Sequence, residues 1–300
     1  MPRQTLSFLR RRFEEVGIDP VKKFGQNFLI DLNLLDLLAD TAQLGPDDVV
    51  LEVGTGTGSL TGVMAERAAH VVTVEIDPRM HQLASEELID RPNVTLLHMD
   101  ALRNKNHLSD DVLNVVRAKL AETPHARFKL AANLPYCVAT PVMSNLMLWD
   151  TPPVSMTVTI QKELADRIVA EPGKKDYSAL SIWCQSLYRA EIVRVLAPSV
   201  FWPRPKVDSA ILQLTYEPEP AARIADLTFF HDFTRQLFLY RRKMLRGVLV
   251  NVLKGKLDKP GVDALIADLG YAEQTRAEEL PVEEHIRLSD AIRARLAAVA

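Results

Sequence analysis

Between Val49 and Gln161 the chain alternates continuous hydrophobic runs with segments in which hydrophobic residues recur every three or four positions. Runs such as VVLEVG and HVVTVEID are hydrophobic almost throughout, as is typical of strands that are buried on both faces of a sheet. The intervening segments, for example SLTGVMAERAA, have the spacing of amphipathic helices. This alternation predicts an α/β fold in which helices cover both faces of a mostly parallel sheet.

The pattern changes in the last third of the chain. Two strand-like runs, AEIVRVLAP and DSAILQLTY, have no long helix between them, so we expect them to pair antiparallel at one end of the sheet. The segment YEPEP, Tyr216 to Pro220, then interrupts the pattern, and the sequence after it has helical spacing, including the long stretch LTFFHDFTRQLFLYRRKMLRGVLVNVL. We therefore predict an α/β domain over residues 1–218 and an all-helical domain over residues 219–300.

Composition narrows the class of protein. Hydrophobic residues make up 47% of the 300 positions and charged residues 25%, which is typical of a soluble globular protein. No hydrophobic run reaches the roughly 18 residues that a membrane span requires, and the N-terminal segment lacks the pattern of a signal peptide. We expect a cytoplasmic monomer that binds no membrane. The two cysteines, Cys137 and Cys184, are too isolated for a disulfide framework or a metal site, which predicts free thiols and no bound metal.

The net charge of -3 argues against a nucleic-acid partner, but the charge is unevenly distributed. Residues 235–259 contain eight basic residues and one acidic residue, whereas the chain from Pro260 onward contains eight acidic residues and four arginines. We predict that a basic helix face contacts nucleic-acid phosphates, and a solvated charged surface is the alternative. The residues of this face are Arg241, Arg242, Lys243 and Arg246. A solvated helix face is the preferred interpretation of the run from Arg10 to Arg12.

A glycine-rich turn follows the first strand of the alternating region. The stretch LEVGTGTGSL places Gly54, Gly56 and Gly58 between a strand and a helix, where the backbone can turn tightly and approach a ligand. Glu75 ends the next strand, where a carboxylate can accept hydrogen bonds from both hydroxyls of a ribose. The G-x-G-x-G spacing differs from the dinucleotide fingerprint. The turn therefore predicts a nucleoside cofactor, and a plain strand-to-helix turn is the alternative.

Acidic residues at three successive strand ends specify the cofactor further. Glu52 precedes the glycines, Glu75 ends the second strand and Asp100 follows the third. A charged amino-acid group, a ribose and an adenine amino group each need such a partner, and S-adenosylmethionine contains all three. For Asp100 alone, a helix cap at the following segment is an alternative.

The loop after the fourth strand carries the candidate chemistry. It reads Asn133, Leu134, Pro135 and Tyr136, and in open α/β sheets ligands bind at such strand ends. An adenine N6 amine is a poor nucleophile because its lone pair is delocalised into the ring. The Asn133 side-chain oxygen and the Leu134 carbonyl can hold its two hydrogens and direct the lone pair, while Pro135 stiffens the turn and Tyr136 stacks on the base. An asparagine that caps the next helix and a buried tyrosine are the alternative.

Several motifs together resemble the ribosomal RNA adenine N6,N6-dimethyltransferase family, specifically its bacterial small-subunit branch. They run in order from about Lys22 to Leu249 and read FGQNFL, LEVGTGTGSLT, VEID, NLPY, QKELADRIVA, KDYSALSI, FWPRPKVDSAI and RRKMLRGVL. The resemblance implies a class I S-adenosylmethionine-dependent methyltransferase fold, Rossmann-like with a mostly parallel seven-stranded sheet, followed by a small C-terminal all-α domain. It also implies dimethylation of two adjacent adenosines in the hairpin loop near the 3′ end of 16S rRNA, within the assembling small subunit.

The resemblance also assigns roles to particular residues. It implies that an N-terminal segment of the domain over residues 1–218 covers the cofactor and that the helical domain over residues 219–300 binds RNA. It implies cofactor contacts for six residues, which are Asn27, Leu29, Gly54, Glu75, Asp100 and Asn133. It further implies that Phe201, the first residue of FWPRP, stacks on the target base opposite Tyr136. Cys137 stands where the family commonly has Asn, and Thr55 replaces a frequent Pro, but neither change removes a key atom.

Three other functions remain open at this point. A ribosome-assembly or nucleic-acid-binding factor could have the same fold without the chemistry, although a retired site need not keep Asn133, Tyr136 and Gly54. A small-molecule methyltransferase is disfavoured by the basic helical domain. A large-subunit rRNA methyltransferase is disfavoured by the arrangement from PKVDSA to RRK.

Overall fold

The computed structural model of the protein describes residues 5–15, 17, 25–104 and 107–299, so Phe24, which opens the FGQNFL motif, lies outside the described residues. The strands are β1 Phe28–Leu29, β2 Asp48–Val53, β3 His70–Glu75, β4 Val94–His98, β5 Leu102–Asn104, β6 His107–Leu108, β7 Arg127–Asn133, β8 Ser155–Gln161, β9 Tyr188–Leu196, β10 Phe201–Trp202 and β11 Ser209–Tyr216. The helices are α1 Leu6–Glu15, α2 Leu32–Thr41, α3 Ser59–Ala65, α4 Pro78–Glu87, α5 Asp110–Glu122, α6 Ala139–Leu148, α7 Lys162–Ile168, α8 Ala179–Gln185, α9 Pro218–Ala222, α10 Leu227–Phe238, α11 Leu245–Val252, α12 Lys259–Leu269 and α13 Val282–Val299.

Seven strands form one sheet in the order β4-β3-β2-β7-β8-β11-β9. The first five strands in that order pair in parallel, and β11 runs antiparallel to β8. All six residues of β2 are buried, which explains why four of them are hydrophobic and do not alternate with exposed polar residues. The fold is therefore the α/β fold that the sequence predicts, with β9 and β11 adjacent at one end of the sheet.

The chain divides into two compact units. One comprises the described residues up to Ala165 together with Glu191–Thr215, and the other comprises Asp166–Ala190 and the described residues from Tyr216 onward. The second unit thus includes a segment that the predicted division at residue 218 assigned to the α/β domain. The reason is visible in its contacts, because Tyr177 donates a hydrogen bond to the Leu280 carbonyl (3.0 Å) and Trp183 packs against Phe230.

The hydrophobic core beside the sheet forms where α2 and α3 pack on one face. It includes Leu38, Met64 and Ile211, which are almost completely buried. Asp31 caps α2 by accepting hydrogen bonds from the backbone N–H groups of Asn33 and Leu34. These contacts fix the start of α2 directly after β1, at the edge of the sheet where the predicted site lies.

The second unit is mostly helical, but its longest predicted helical stretch is interrupted. The periodicity from Leu227 to Leu253 predicts helix throughout, whereas α10 ends at Phe238 and α11 begins at Leu245. Residues 239–244 form a turn in which the Lys243 N–H donates to the Tyr240 carbonyl (2.8 Å). The hydrophobic periodicity continues through this turn because residues on both sides of it face the same core.

Candidate active site

A cavity of about 320 Å³ lies at the carboxyl ends of β2, β3 and β7. Every residue predicted from the strand ends and the resemblance to contact the cofactor lines it, as do the four residues of the NLPY loop. These residues are Asn27, Leu29, Glu52, Gly54, Gly56, Glu75, Asp100, Asn133, Leu134, Pro135 and Tyr136. The parallel strands bring these separate segments to one edge of the sheet.

The glycine turn has conformational and steric requirements that only glycine meets. Gly54 has a φ of +89°, and a Cβ atom there would lie 3.1 Å from Cδ of Pro135. Gly56 has a φ of +56° and donates its backbone N–H to Glu75 (2.8 Å). The first strand-end turn therefore packs directly against the NLPY loop and is held by the acid at the end of β3.

Glu75 is 5% exposed and lies against the cavity. Its second oxygen accepts the backbone N–H of Asp77 at 2.9 Å. Burial raises the pKa of Glu75, and the hydrogen bonds from the Asp77 and Gly56 backbones oppose that rise. Because each carboxylate oxygen can accept more than one hydrogen bond, Glu75 can hold the turn and still accept ribose hydroxyls.

Glu52 is the most deeply buried acid at the cavity, with 1% of its surface exposed. One of its oxygens accepts hydrogen bonds from the hydroxyls of Thr61 (2.5 Å) and Thr73 (2.6 Å). Burial raises the pKa of Glu52 to about 8, although both hydroxyls oppose the rise and nearby Glu75 adds to it. A cationic group brought to this carboxylate would stabilise its ionised form.

Asp100 accepts the backbone N–H of Leu102 at 2.8 Å through one oxygen and lines the same cavity. The helix-cap alternative does not hold, because Leu102 begins β5 and not a helix. The side chain instead closes a turn beside the cavity. Its other oxygen has no partner among the described residues.

The segment from Gly25 to Leu29 lines the cavity and contacts two of the loops at the strand ends. Gln26 donates to Asp77 at 3.0 Å, and Phe28 lies close to Gly56. Leu29 pairs with Phe201 in the small sheet of β1 and β10. The segment therefore contacts the loops after β2 and β3 from above the sheet.

The Asn133 side chain has a defined orientation. Its amide nitrogen donates to the Asn27 carbonyl at 2.8 Å, which directs the side-chain oxygen away from that carbonyl. In the described part of the chain, neither this oxygen nor the Leu134 carbonyl has a hydrogen-bond partner. The Leu134 N–H donates to the Thr159 carbonyl (3.2 Å), which ties the loop to β8. These two oxygens of the NLPY loop therefore remain available as acceptors at the cavity.

Tyr136 is half-buried at the cavity, and its hydroxyl lies 2.6 Å from the Ser209 hydroxyl. Burial raises the pKa of Tyr136, so the phenol is protonated at neutral pH. Cys137, which follows it, is an exposed free thiol that also lines the cavity. Tyr136 and Cys137 therefore line the same cavity as Asn133 and Leu134.

Phe201 does not lie where the resemblance placed it. Its side chain is 2% exposed and packs in the hydrophobic core with Leu29 and Ile211, and it does not line the cavity. The cause is the pairing of β10 with β1, which turns this ring into the core. A ring in this position cannot stack on a base opposite Tyr136.

The basic residues of the second unit divide into paired and unpaired groups. Arg241 donates to the carbonyls of Lys175 (2.8 Å) and Tyr177 (3.0 Å), and its guanidinium lies 3.4 Å from Glu278. Arg246 forms two hydrogen bonds with the carboxylate of Asp263, at 2.6 and 2.9 Å. Both arginines are paired with groups of the same unit, so the structure gives no support to the prediction that they contact phosphates.

Arg242 and Lys243 are exposed in the turn between α10 and α11 and form no ion pair among the described residues. The Lys243 ammonium lies 4.9 Å from the centre of the Tyr240 ring. The prediction of a basic helix face is therefore corrected to a basic turn.

Two further observations concern metals and membranes. Within residues 5–15, 17, 25–104 and 107–299, the His, Cys, Asp and Glu side chains form no group of three that could hold a metal ion. In the same ranges, no helix has the length and hydrophobicity needed to cross a membrane.

The sheet order and the acid-lined cavity at its carboxyl edge define a Rossmann-like fold of the class I methyltransferases. The fold is similar to that of a dimethyladenosine transferase from Plasmodium falciparum, with a TM-score of 0.73, 23% identity, and coverage of 86% of this chain and 94% of that one. It is also similar to the 23S rRNA methyltransferase ErmE, with a TM-score of 0.63, 26% identity, and coverage of 89% and 100%.

Sequence comparison identifies the family. The model of the family described as Ribosomal RNA adenine dimethylase matches residues 20–293. The chain is 38% identical over 280 residues to the Ribosomal RNA small subunit methyltransferase A of Bacillus mycoides (strain KBAB4), which covers 93% of each chain. The Bacillus cereus (strain B4264) protein of the same name gives the same values. The chain therefore belongs to the ribosomal RNA adenine dimethylase family and is an rRNA adenine dimethyltransferase.

Sequence reasoning missed residues that act through others. Ser209 lies within the quoted FWPRPKVDSAI motif, yet its bond to Tyr136 depends on strand pairing that no local pattern shows. Thr61 and Thr73 are ordinary positions in a helix and a strand until the fold brings them to Glu52. A buried acid among hydrophobic residues was the one signal that such partners were needed.

Proposed function

We propose that this enzyme transfers methyl groups from S-adenosylmethionine to the N6 amines of two adjacent adenosines in the hairpin loop near the 3′ end of 16S rRNA. The observation that carries the proposal is the orientation of Asn133. Its amide nitrogen donates to the Asn27 carbonyl, so its oxygen and the Leu134 carbonyl are two acceptors of the NLPY loop that have no partner among the described residues. An adenine amine has two hydrogens, and two acceptors match them.

The residues at the cavity fit S-adenosylmethionine by their donor and acceptor chemistry. Glu75 is suited to the ribose hydroxyls, Asp100 to the adenine amine and Glu52 to the ammonium group, and all three line one cavity. Asn27, Leu29 and Gly54 supply backbone and side-chain contacts at the same place. When bound, the cofactor supplies an electrophilic methyl group on a positively charged sulfur.

The protein contributes placement and not strong acid–base chemistry. The Tyr136 phenol has a raised pKa and stays protonated, so it is no base at neutral pH. The free oxygens of Asn133 and Leu134 would fix the amine so that its lone pair faces the methyl carbon. Pro135, which packs on Gly54, would keep that loop rigid against the cofactor turn.

We further propose that the substrate is the rRNA within the assembling small subunit and that the protein contributes to subunit biogenesis as a cytoplasmic monomer. The names of the Bacillus relatives support the small-subunit substrate. The exposed pair Arg242 and Lys243 is suited to phosphate contact, because neither side chain has an ionic partner among the described residues. Binding through phosphates would position the particle, and the cavity would select the base.

Incubation of the protein with labelled S-adenosylmethionine and under-methylated small subunits tests the proposal. We expect label in N6,N6-dimethyladenosine of 16S rRNA. No incorporation by the wild-type protein would refute the proposed activity, and label confined to large subunits would refute the proposed substrate.

The role of Asn133 can be tested with a matched control. We predict that Asn133→Ala lowers kcat by at least about 100-fold, because misplaced reacting groups lose much of the advantage of orientation, while cofactor binding is largely retained. Asn145→Ala is the control, since Asn145 also donates its amide to a backbone carbonyl (Pro141, 2.7 Å) but does not line the cavity. Equal rates for the Asn133 variant and the wild type would exclude the proposed role. An inactive variant that still restored subunit maturation would show a separate assembly role.

A further inference from the structure

We propose that Ser209 is a positioning residue for methyl transfer, which fixes the Tyr136 side chain as the platform for the target base. The inference depends on the proposed function, because it deepens the role assigned to Tyr136. Its basis is the contact between the two hydroxyls, whose oxygens lie 2.6 Å apart although the residues are 73 positions apart in the chain. Among the described residues, no other side chain forms a hydrogen bond with the Tyr136 hydroxyl.

The loop backbone alone does not fix the direction of the tyrosine ring. Two hydrogen bonds shape the loop, from the Leu134 N–H to the Thr159 carbonyl (3.2 Å) and from the Val138 N–H to the Pro135 carbonyl (3.0 Å). Neither restricts rotation about χ1 of Tyr136, which has three staggered minima. A bond at the far end of the ring selects one of them, and the in-plane preference of the phenolic O–H favours one ring plane.

Ser209 is itself rigid, as a positioning residue must be. It is completely buried and begins β11, where it is the register partner of Gln161 on β8. The residue after β8, Lys162, donates its N–H to the Asp208 carbonyl at 2.9 Å, which fixes the backbone next to the pair. The hydroxyl is therefore held by the central sheet and not by a mobile loop, which gives the ring a defined position.

The burial of Phe201 in the core makes the contact between Ser209 and Tyr136 more important. Phe201 is only 2% exposed, and Tyr136 is the aromatic side chain of the NLPY loop, next in the chain to the Asn133 and Leu134 acceptors, whereas the other cavity-lining ring, Phe28, belongs to β1. A base stacked on Tyr136 depends on the position of that ring. An extruded adenine is recognised by stacking and by its hydrogen-bonding edge, so the ring and the Asn133 oxygen must be correctly placed at the same time.

The test is a double-mutant cycle of Ser209→Ala and Tyr136→Phe, with under-methylated small subunits as substrate. Each single variant removes the contact while the Tyr136→Phe variant keeps an aromatic ring. We expect each to lower kcat by about 10- to 100-fold, the scale expected for a misplaced reacting group, and the double variant to be no slower than the slower single variant. The dissociation constant of S-adenosylmethionine should change by less than about twofold, because neither atom is assigned to the cofactor.

Ser186→Ala is the matched control, since Ser186 is also completely buried and donates its hydroxyl to one protein acceptor, the Trp183 carbonyl (2.9 Å). We expect it to keep the wild-type kcat. The pH profile of kcat should have the same shape in Ser209→Ala and wild type, since the serine acts by position. Wild-type kcat in Ser209→Ala, independent effects that multiply in the double variant, or a shifted pH profile would each overturn the inference.

A second measurement does not require turnover and so separates this inference from the proposed function. Three-bond couplings in isotope-labelled protein report the χ1 rotamer populations of Tyr136. We expect a single rotamer in the wild type and in Ser186→Ala, and averaged couplings in Ser209→Ala. A single unchanged rotamer in Ser209→Ala would overturn the positioning role even if the enzyme proved inactive on rRNA.

Discussion

At the scale of single residues, the cavity contains positions whose side chains or backbone angles cannot change without a neighbour moving. Gly54 is the clearest case, because its positive φ and the adjacent Pro135 ring both exclude a Cβ atom. Glu52 is another, because two threonine hydroxyls share one of its oxygens in a fully buried place. Each position yields a prediction about stability that does not depend on the substrate.

We predict that Gly54→Ala lowers the free energy of unfolding by about 2–4 kcal/mol and weakens cofactor binding. An alanine at positive φ costs about 1–2 kcal/mol, and the contact with Pro135 adds strain because that ring cannot rotate away. Gly173→Ala is the control, since Gly173 has a similar φ of +77° but a Cβ atom there would have no neighbour within 4 Å. Urea unfolding and calorimetric titration with the cofactor give both quantities, and equal losses in the two variants would contradict the packing argument.

A pH-dependent prediction follows from Glu52. Burial raises its pKa from 4.5 to about 8 in the folded protein, whereas the unfolded chain has the ordinary value. Between these values the folded state holds a proton that the unfolded state has released, so stability falls as pH rises. Glu52→Gln cannot ionise. We predict that its free energy of unfolding increases relative to that of the wild type by a few kcal/mol as the pH rises from about 5 to about 8. Plots of unfolding free energy against pH that stay parallel for the two proteins over this range would contradict the prediction.

At the scale of elements, the site consists of the loops that follow neighbouring parallel strands and of one further segment, Gly25 to Leu29, that contacts these loops. The sequence predicted this edge well, because buried parallel strands are continuous hydrophobic runs and their last residues are polar. The resemblance implied an N-terminal segment that covers the cofactor, but no local pattern specified that Gly25–Leu29 contacts the loops after both β2 and β3. Nor could the sequence predict the break between α10 and α11, because helical periodicity persists when both sides of a turn face one core.

The turn between α10 and α11 gives a prediction that separates structural from RNA-binding arginines. Arg241→Ala should reduce stability by about 1–3 kcal/mol, because it removes charge-assisted hydrogen bonds to the carbonyls of Lys175 and Tyr177 and leaves Glu278 without its charged partner. Arg242→Ala is the matched neighbour and should leave stability unchanged. It should weaken binding to small subunits and reduce the slope of affinity against salt by roughly one. A stable, fully RNA-binding Arg242→Ala variant would contradict the assignment.

The helical unit shows where local reasoning fails. The predicted boundary at residue 218 lies close to the structural change at Tyr216, because the prolines of YEPEP end β11 and begin α9. The segment Asp166–Ala190 nevertheless joins the second unit through Tyr177 and Trp183. Those contacts join residues about a hundred and about fifty positions apart, and no pattern within the segment specifies them.

At the scale of the whole molecule, charge sets the kind of RNA that the enzyme can bind. The net charge is -3, and two of the four basic residues predicted to contact phosphates are paired within the protein. Of that predicted set, only Arg242 and Lys243 remain to contact an RNA backbone. A substrate presented in a folded particle requires fewer phosphate contacts, because its loop is already held in place.

We therefore predict that assembling small subunits are methylated much faster than naked 16S rRNA under the same conditions. The ratio of the two rates should grow with salt concentration. Salt weakens phosphate contacts, and naked rRNA depends on them more because its loop is not already held in place. Initial rates with labelled S-adenosylmethionine at two ionic strengths measure it. Equal rates for the two substrates would contradict the argument from charge.

We propose that the enzyme methylates adenine amines of small-subunit rRNA in the cavity between Gly54, Glu75 and Asn133. Mass spectrometric mapping of 16S rRNA tests it most directly, in a strain that lacks the protein and in the same strain supplied with wild type or Asn133→Ala. We predict two adjacent N6,N6-dimethyladenosines in the 3′ hairpin loop with the wild type, and unmodified adenosines there in the deletion strain and with Asn133→Ala. Dimethyladenosines that persist without the protein, or that appear with Asn133→Ala, would contradict the claim.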